Sequence, residues 1–159
     1  MTKHWLLKSE PEVYPISSLR RDGTTSWDGV RNFQARNLIR DEMKVGDLVL
    51  FYHSNADPPG VAGIARVARE GHPDVTAFDK GDHHFDPKSD PANPTWYVVD
   101  VAFVEQWADV VGLPELKADP ALDGMMVTRK GSSLSVQPVE AAHFERIVAL
   151  GRARGPIAR

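Results

Sequence analysis

The sequence contains no cysteine, which excludes disulfide bonds, a cysteine nucleophile and metal sites built on cysteine. It also has no apolar run close to the ~20 residues that a membrane-spanning helix requires. Its first apolar segment, Trp5-Leu6-Leu7, is too short for a signal peptide. We therefore expect a soluble, cytoplasmic protein with no membrane partner.

An excess of positive charge is also missing. The formal net charge is −3, which argues against a protein whose affinity rests on contacts to many phosphates. The charge is nevertheless uneven, because basic residues prevail between Arg20 and Lys44 and acidic ones between Asp74 and Asp90. Two solvated faces of opposite bias are the simpler interpretation, and a locally basic face that meets a nucleic acid is the alternative.

Motifs of known catalytic and metal sites are absent as well. No glycine-rich phosphate loop follows a predicted strand, and neither a GxSxG nor an HExxH pattern occurs. His83 and His84, with Asp82, Asp86 and His72 nearby, suggest a metal site, but adjacent histidines on an extended chain point in different directions. We interpret this segment as a surface loop and predict no metal, no cofactor and no enzymatic activity.

What is present suits one globular domain over residues 1–159, with 42% hydrophobic residues. Hydrophobic patterns predict strands over 4–9, 47–53, 61–70, 96–106 and 134–137. Helices are predicted over 16–21, 35–43, 113–117 and 140–150, and residues 152–159 are expected to form a flexible tail. Such irregular alternation favours a mixed α/β fold with a mainly β core, a small barrel of about five to six strands with short helices packed around it.

The strongest functional signal is the segment Trp27-Asp28-Gly29-Val30-Arg31-Asn32. Trp27 precedes a turn, where its ring can face a pocket, although a core or lid position is the alternative. The amide of Asn32 can read the edge of a heterocycle or cap the helix that follows. Arg31 can reach a phosphate, but an internal ion pair is the simpler role.

Two other polar segments come at the ends of predicted strands, namely Lys8-Ser9 and Tyr52-His53-Ser54. Both segments can therefore reach the same end of a barrel. His53 can titrate near neutral pH, although an isolated histidine is more often structural. The three segments together predict a pocket for a flat, polar heterocycle.

These motifs resemble the EVE domain family. The resemblance rests on Trp5-Leu-Leu-Lys-Ser-Glu-Pro11, on the Trp27 segment with Gln34-Ala-Arg-Asn37, and on Phe51-Tyr-His-Ser-Asn55. It continues through Gly60-Val-Ala-Gly63, Asp86-Pro87, Asn93-Pro94 with Trp96, Val99-Asp-Val101 and Leu134-Ser-Val-Gln-Pro138. Nearly the whole chain is thus covered.

The resemblance implies a PUA-like barrel that reads a modified nucleobase. The positions that match the family's pocket, together with the neighbouring Val30, are Lys8, Ser9, Trp27, Val30, Asn32, Tyr52, His53 and Ser54, and Trp96 is carried over as a second wall. Phe33 stands where relatives often have tyrosine, which removes one polar group from that position.

The resulting hypothesis is a monomeric, non-catalytic reader of modified cytosine in DNA. Trp27 would stack on the base, and Arg31, Arg36 and Arg40 would face phosphates. Two alternatives stay open at this point. One is a reader of modified RNA, and the other is an enzyme that processes a small nucleotide or metabolite with His53 as general acid or base.

Overall fold

The computed structural model of the chain describes residues 2–158. The strands are β1 (His4–Ser9), β2 (Thr24–Ser26), β3 (Leu48–His53), β4 (Gly60–Pro73), β5 (Tyr97–Gly112), β6 (Val136–Val139) and β7 (Pro156–Ala158). The helices are α1 (Ile16–Asp22), α2 (Phe33–Asn37), α3 (Leu113–Ala118) and α4 (Ala141–Arg152). A π-helical turn, Leu38–Glu42, extends α2, and three short 3-10 turns lie in the loops.

One sheet contains every strand of this set. Its main path has the order β2-β5-β4-β3-β1-β6, and β7 pairs with β5 away from that path. Only the β1–β3 pair is parallel among the described residues, and the other pairs are antiparallel. The mixed α/β class with a mainly β core is thereby confirmed. The edge strands β2 and β6 do not pair within residues 2–158, so the expected closure into a barrel is wrong.

Apolar side chains cover both faces of this sheet, since successive residues of a strand point to opposite sides. Along β1, Trp5 and Leu7 belong to a first core with α1 and α2, whereas Leu6 belongs to a second core with α3 and α4. All three side chains are at most 2% exposed. The two cores explain why β1 and β3 read as continuous apolar runs instead of alternating ones.

Each core is closed by helices whose buried positions follow the helical period. Ala35, Ile39 and Met43, predicted to share a face, are fully buried in the first core. Phe144, Ile147 and Val148 anchor α4 in the second core. The bounds of β1 agree with the prediction at both ends, and the helices predicted over 16–21, 113–117 and 140–150 are also present.

Residues 152–158, which lie in the segment predicted to be a flexible tail, make contacts with the rest of the domain, and the flexibility itself stays a prediction. Arg152 ends α4 and forms an ion pair of 2.7 Å with Glu105. Strand β7 then pairs with β5, and Arg154 donates hydrogen bonds to Val110 O and Glu115. Arg152 and Arg154 are therefore bound to the domain. Residue 159 lies outside the described residues.

The long loops and the short edge strand also differ from the prediction. Thr24–Ser26, for which no strand is predicted, forms β2 against the middle of β5. Strand β5 continues to Gly112, six residues past its predicted end. The loop that contains His83 and His84, predicted to lie on the surface, is partly buried, because Asp74 and Ala77 are at most 1% exposed. No helix among residues 2–158 has the length and apolar character to cross a membrane.

Candidate functional site

A cavity of about 610 Å³ opens beside Trp27. The end of β1, the loop before α1, strand β2 with the turn after it, and a short segment of the loop between β4 and β5 form its walls. The lining residues are Lys8, Ser9, Glu10, Val13, Tyr14, Thr25, Ser26, Trp27, Asp28, Gly29, Asp82, His83 and His84.

Trp27 is the aromatic wall of this cavity. Its backbone N–H donates to Val99 O at 2.8 Å, and its ring meets Phe51 edge-on at 5.4 Å between centroids. The side chain is 9% exposed, so only a small part of it faces the cavity. Its indole N–H has no acceptor among residues 2–158, whereas those of Trp5, Trp96 and Trp107 each donate to a carboxylate. Since buried indole N–H groups usually find a partner, this donor is available to a ligand.

The turn after Trp27 is tightly held. Gly29 has φ +77°, a conformation that favours glycine, and its N–H donates to Asp74 Oδ2 at 3.0 Å. The imidazole of His84 lies directly against Gly29, because a Cβ placed there would come within 2.4 Å of His84 Nε2. Any side chain at this position would displace His84 from the cavity wall.

Asp74 anchors the same turn from the interior. It is 1% exposed and accepts hydrogen bonds from Gly29 N, Thr76 and Arg31, the last at 2.9 Å. Burial alone would raise the pKa of Asp74, but these hydrogen bonds and the Arg31 charge outweigh burial and lower it. Arg31 also donates to His84 O at 2.7 Å. Its guanidinium therefore forms the internal ion pair, with Asp74 as the partner.

Among residues 2–158, Asp28 is the acidic group of the cavity that accepts no hydrogen bond from the protein. Its side chain is exposed at the cavity wall and accepts no hydrogen bond within residues 2–158. Partial burial raises the pKa of Asp28, and the negative charges of Asp74 and Asp82 raise it further, while His84 and Arg31 oppose this increase without cancelling it. A hydrogen-bond donor on a ligand in the cavity would therefore stabilise the ionised carboxylate of Asp28.

The segment from Asp82 to His84 offers three ligand atoms that lie within 4.8 Å of one another. His84 Nδ1 is buried and lies 3.2 Å from Asp82 Oδ1, although the geometry is not that of a hydrogen bond. The side chain of His83 is 84% exposed. Such groups from one turn are common without an ion, and the absence of a metal stays a prediction.

Strand parity divides the residues that were expected to share one pocket. Lys8 pairs with Tyr52 and Ser9 with His53 in the β1–β3 ladder, so the two pairs point to opposite faces of the sheet. The Lys8 ammonium donates to Ser132 O at 2.9 Å and lies 5.9 Å from the centre of the Tyr52 ring. Burial lowers the pKa of Lys8. Lys8 lines the cavity, but its ammonium group forms its hydrogen bond on the opposite face of the sheet.

The groups at the end of β3 do not line the cavity. Tyr52 is 3% exposed in the second core, and burial raises its pKa. His53 Nε2 accepts from Ile16 N at 3.1 Å, and burial lowers the pKa of this imidazole. Ser54 N donates to Ser9 O at 2.9 Å. These three residues join the end of β3 to β1 and α1.

Three further predicted site residues also lie outside the cavity lining. Val30 is 7% exposed in the first core. Asn32 caps α2, since its side chain accepts from Ala35 N at 3.0 Å. Trp96 donates to Asp86 Oδ2 at 2.7 Å and stacks on Phe33 at 5.0 Å. Of the nine predicted base contacts, the structure therefore brings together Lys8, Ser9 and Trp27.

The arginines predicted to face phosphates also have protein partners. Arg36 donates to Thr95 O at 2.7 Å and lies over the ring of Phe33. Arg40 forms two hydrogen bonds with Asp41, at 2.7 and 2.8 Å, on an exposed part of the surface. An exposed pair of this kind can exchange its partner for a phosphate at small cost.

Several cavity residues are not among the predicted base contacts, including Tyr14, Asp28 and His84. Tyr14 donates to Asp22 at 2.9 Å, and its carbonyl accepts from Ser9 Oγ at 2.6 Å. The position of Ser9 could have been predicted, because successive side chains of β1 point to opposite faces of the sheet. This alternation places Ser9, and not Lys8, on the same face as Trp27. No local sequence pattern predicts the position of His84.

A second cavity of about 730 Å³, around residues 116–130, contains none of the predicted site residues.

Comparisons with known proteins agree on one family. The EVE domain model matches residues 3–150. Human thymocyte nuclear protein 1 is 39% identical over 170 residues, which cover 94% of this chain and 74% of that protein. The solved structure of a Leishmania major protein has 46% identity and a TM-score of 0.91, with 96% of each chain covered. The structure of the human THYN1 protein in complex with DNA containing 5-methylcytosine has 40% identity and a TM-score of 0.86, and covers 94% of this chain and 98% of that one. This chain belongs to the EVE domain family.

Proposed function

We propose that this protein is a non-catalytic DNA-binding module that reads a modified base, with 5-methylcytosine as the first candidate. The observation that carries the proposal is the match along 94% of the chain to a human protein solved with DNA containing that base. The cavity beside Trp27 supplies the place where the base would bind. We further propose that the chain acts as a monomeric single domain.

The size and lining of the cavity support an extruded base. A cavity of about 610 Å³ is within the range of small-molecule sites. Taking a base out of a duplex costs a few kcal/mol, so a single strand is the easier substrate. The base would lie against the exposed part of Trp27, whose free indole N–H faces no protein acceptor within residues 2–158.

Electrostatics favour entry of a base over entry of a phosphate. Glu10, Asp28 and Asp82 line the cavity, and the Lys8 ammonium is bound to Ser132 O. We therefore assign backbone contacts to the exposed surface outside the cavity, where Arg36 and Arg40 are the candidates. Arg31 is not among them in this proposal, because its guanidinium already forms an ion pair with the buried carboxylate of Asp74, whereas the partner of Arg36 is a neutral carbonyl.

The enzymatic alternative has less support. A general base needs an accessible lone pair near the substrate. His53 lies outside the cavity lining, and its Nε2 accepts from Ile16 N. His53→Ala is therefore expected to leave oligonucleotide binding intact while it reduces stability.

Fluorescence anisotropy with labelled 12-residue DNA single strands tests the proposal. The strands are identical except for one central cytosine or 5-methylcytosine, and matched duplexes and RNA strands complete the set. Burying one methyl group contributes about 0.8 kcal/mol, so we expect about a fourfold preference for the methylated strand. Equal affinity for the two DNA strands, or a preference confined to RNA, would contradict the proposal.

A further inference from the structure

Asp28 differs from the other carboxylates around the cavity because it accepts no hydrogen bond from residues 2–158. Glu10 accepts a hydrogen bond from Asn55 at 2.9 Å, and Asp82 accepts one from His84 N at 2.8 Å. The carboxylate of Asp28 accepts none from residues 2–158, although it lines the cavity next to Trp27. It is therefore the acidic side chain that is free to bind a ligand there.

The backbone around Asp28 is fixed on both sides. Three consecutive N–H groups are bound, namely those of Trp27 to Val99 O at 2.8 Å, Asp28 to Ser26 O at 3.0 Å and Gly29 to Asp74 at 3.0 Å. The His84 ring lies against Gly29. The backbone that carries this carboxylate is therefore preorganised, so that a ligand has to order only the Asp28 side chain on binding.

The chemistry of a carboxylate decides which base edge it can accept. An ionised carboxylate is a hydrogen-bond acceptor only. The exocyclic amino group of cytosine donates hydrogen bonds, whereas thymine has a carbonyl oxygen at the same position. That oxygen would face the negative charge of Asp28, with Asp74 and Asp82 close by.

We infer that Asp28 determines specificity at this site by accepting a hydrogen bond from the exocyclic amino group of the bound base, so that a base with an oxo group there is rejected. The inference rests on the proposed function, because it assigns a role within the same cavity. 5-Methylcytosine and thymine are the decisive pair, since both carry the 5-methyl group and they differ at the amino or oxo position.

The test compares Asp28→Asn with the wild-type protein on single-stranded 12-residue DNA with cytosine, 5-methylcytosine or thymine at the central position. Asp123→Asn is the matched control, because Asp123 is an exposed aspartate outside this cavity. We expect the wild type and Asp123→Asn to prefer 5-methylcytosine to thymine by about tenfold, within the discrimination that a good base contact provides. In Asp28→Asn the preference should fall below about twofold, because an amide both donates and accepts.

The outcomes separate this inference from the function on which it rests. A wild type that does not distinguish 5-methylcytosine from cytosine contradicts the proposed function itself. A wild type that prefers 5-methylcytosine to cytosine, paired with an Asp28→Asn variant that still rejects thymine tenfold, overturns only the role of Asp28. Thermal unfolding provides the folding readout, and the melting temperature of Asp28→Asn should equal or exceed that of the wild type, since the substitution removes repulsion from Asp74 and Asp82.

Discussion

Trp27 and Trp96 are both almost buried, at 9% and 7% exposure, but their surroundings differ. In Trp96, both the indole N–H and the ring have protein partners. Its N–H donates to Asp86, Phe33 stacks on its ring, and Arg31 lies 5.3 Å from its centre. Trp27 lines a cavity and keeps an N–H without a protein acceptor in residues 2–158. A tryptophan in a family motif is therefore a candidate for ligand binding when its indole N–H has no protein acceptor and its ring borders a cavity, as in Trp27.

The two tryptophans are connected through Asp74. This carboxylate binds Gly29 N in the turn after Trp27 and also Arg31, which lies beside Trp96. Trp96 and its neighbours Phe33, Arg31 and Asp86 therefore form a support for the cavity, in our interpretation, and they do not contact the ligand. The predictions below test that division of roles.

The largest expected effect comes from replacing each tryptophan by alanine. Both substitutions should reduce the free energy of unfolding by about 3–5 kcal/mol, as is typical of buried aromatic residues. Trp27→Ala should in addition weaken binding to a 5-methylcytosine strand at least fivefold, the lower end of the 1–3 kcal/mol per stacked base, because little of the ring is exposed. Urea unfolding and anisotropy measure the two quantities.

Phenylalanine variants of the same positions keep this comparison usable if the alanine variants do not fold. Trp96→Phe should bind as the wild type does. Trp27→Phe should bind more weakly, since it removes the free N–H. Equal binding losses for the two phenylalanine variants would contradict the division of roles.

Asp74→Asn should destabilise the protein by about 3 kcal/mol at pH 7, because it breaks a buried ion pair and leaves Arg31 without its counter-charge. Since the folded protein lowers the pKa of Asp74, its stabilising contribution is complete above the ordinary aspartate pKa and is lost as the pH falls through the lowered value. Urea unfolding at pH 7 and at acidic pH measures this. The difference between wild type and variant should shrink at the lower pH, and a constant difference would show that the charge of Asp74 is unimportant.

Phe33→Ala probes the outer part of the Trp96 support. Phe33 is 59% exposed and stacks on Trp96, so the substitution should cost about 0.5–1.5 kcal/mol of stability and leave DNA binding unchanged. The measurement is again urea unfolding with anisotropy. A binding loss of fivefold or more would place this exposed ring in the DNA interface.

Arg40→Ala should have the smallest effect. Its exposed hydrogen bonds to Asp41 contribute little, so stability should change by less than about 0.5 kcal/mol. If Arg40 faces a phosphate, the slope of log affinity against log salt should decrease in magnitude by about 1, for every sequence alike. An unchanged slope would remove Arg40 from the backbone contacts.

Much of the fold follows from local patterns in the sequence. The bounds of β1 are predictable because its apolar run ends at Glu10-Pro11, and proline cannot donate to a strand ladder. The helix cap at Asn32 is also predictable locally, because asparagine is a preferred residue at the position just before a helix. Strands β2 and β7 were missed because each has three residues and exists only through pairing with the distant β5.

The candidate site was predictable only in part. Trp27 was identified as a wall of the site, but Tyr52 and His53 were assigned to the same pocket as Lys8 and Ser9 without regard to strand parity. The contact of His84 with Gly29 joins positions 55 residues apart, and no local pattern indicates it. Asp28 was read as a turn residue, because only the folded structure reveals that its carboxylate has no partner there.

The most direct test of the account is a proton–nitrogen NMR titration of the four tryptophan indole N–H groups with a single-stranded 5-methylcytosine 12-mer. Trp5, Trp96 and Trp107 donate to carboxylates, and Trp27 is the one indole with no acceptor in residues 2–158. Phenylalanine variants assign the signals. We expect the chemical shift of the Trp27 indole signal to change most and the shifts of the other three signals to stay nearly constant. A dominant shift of the Trp96 signal, or no shift of any indole signal at saturating DNA, would contradict it.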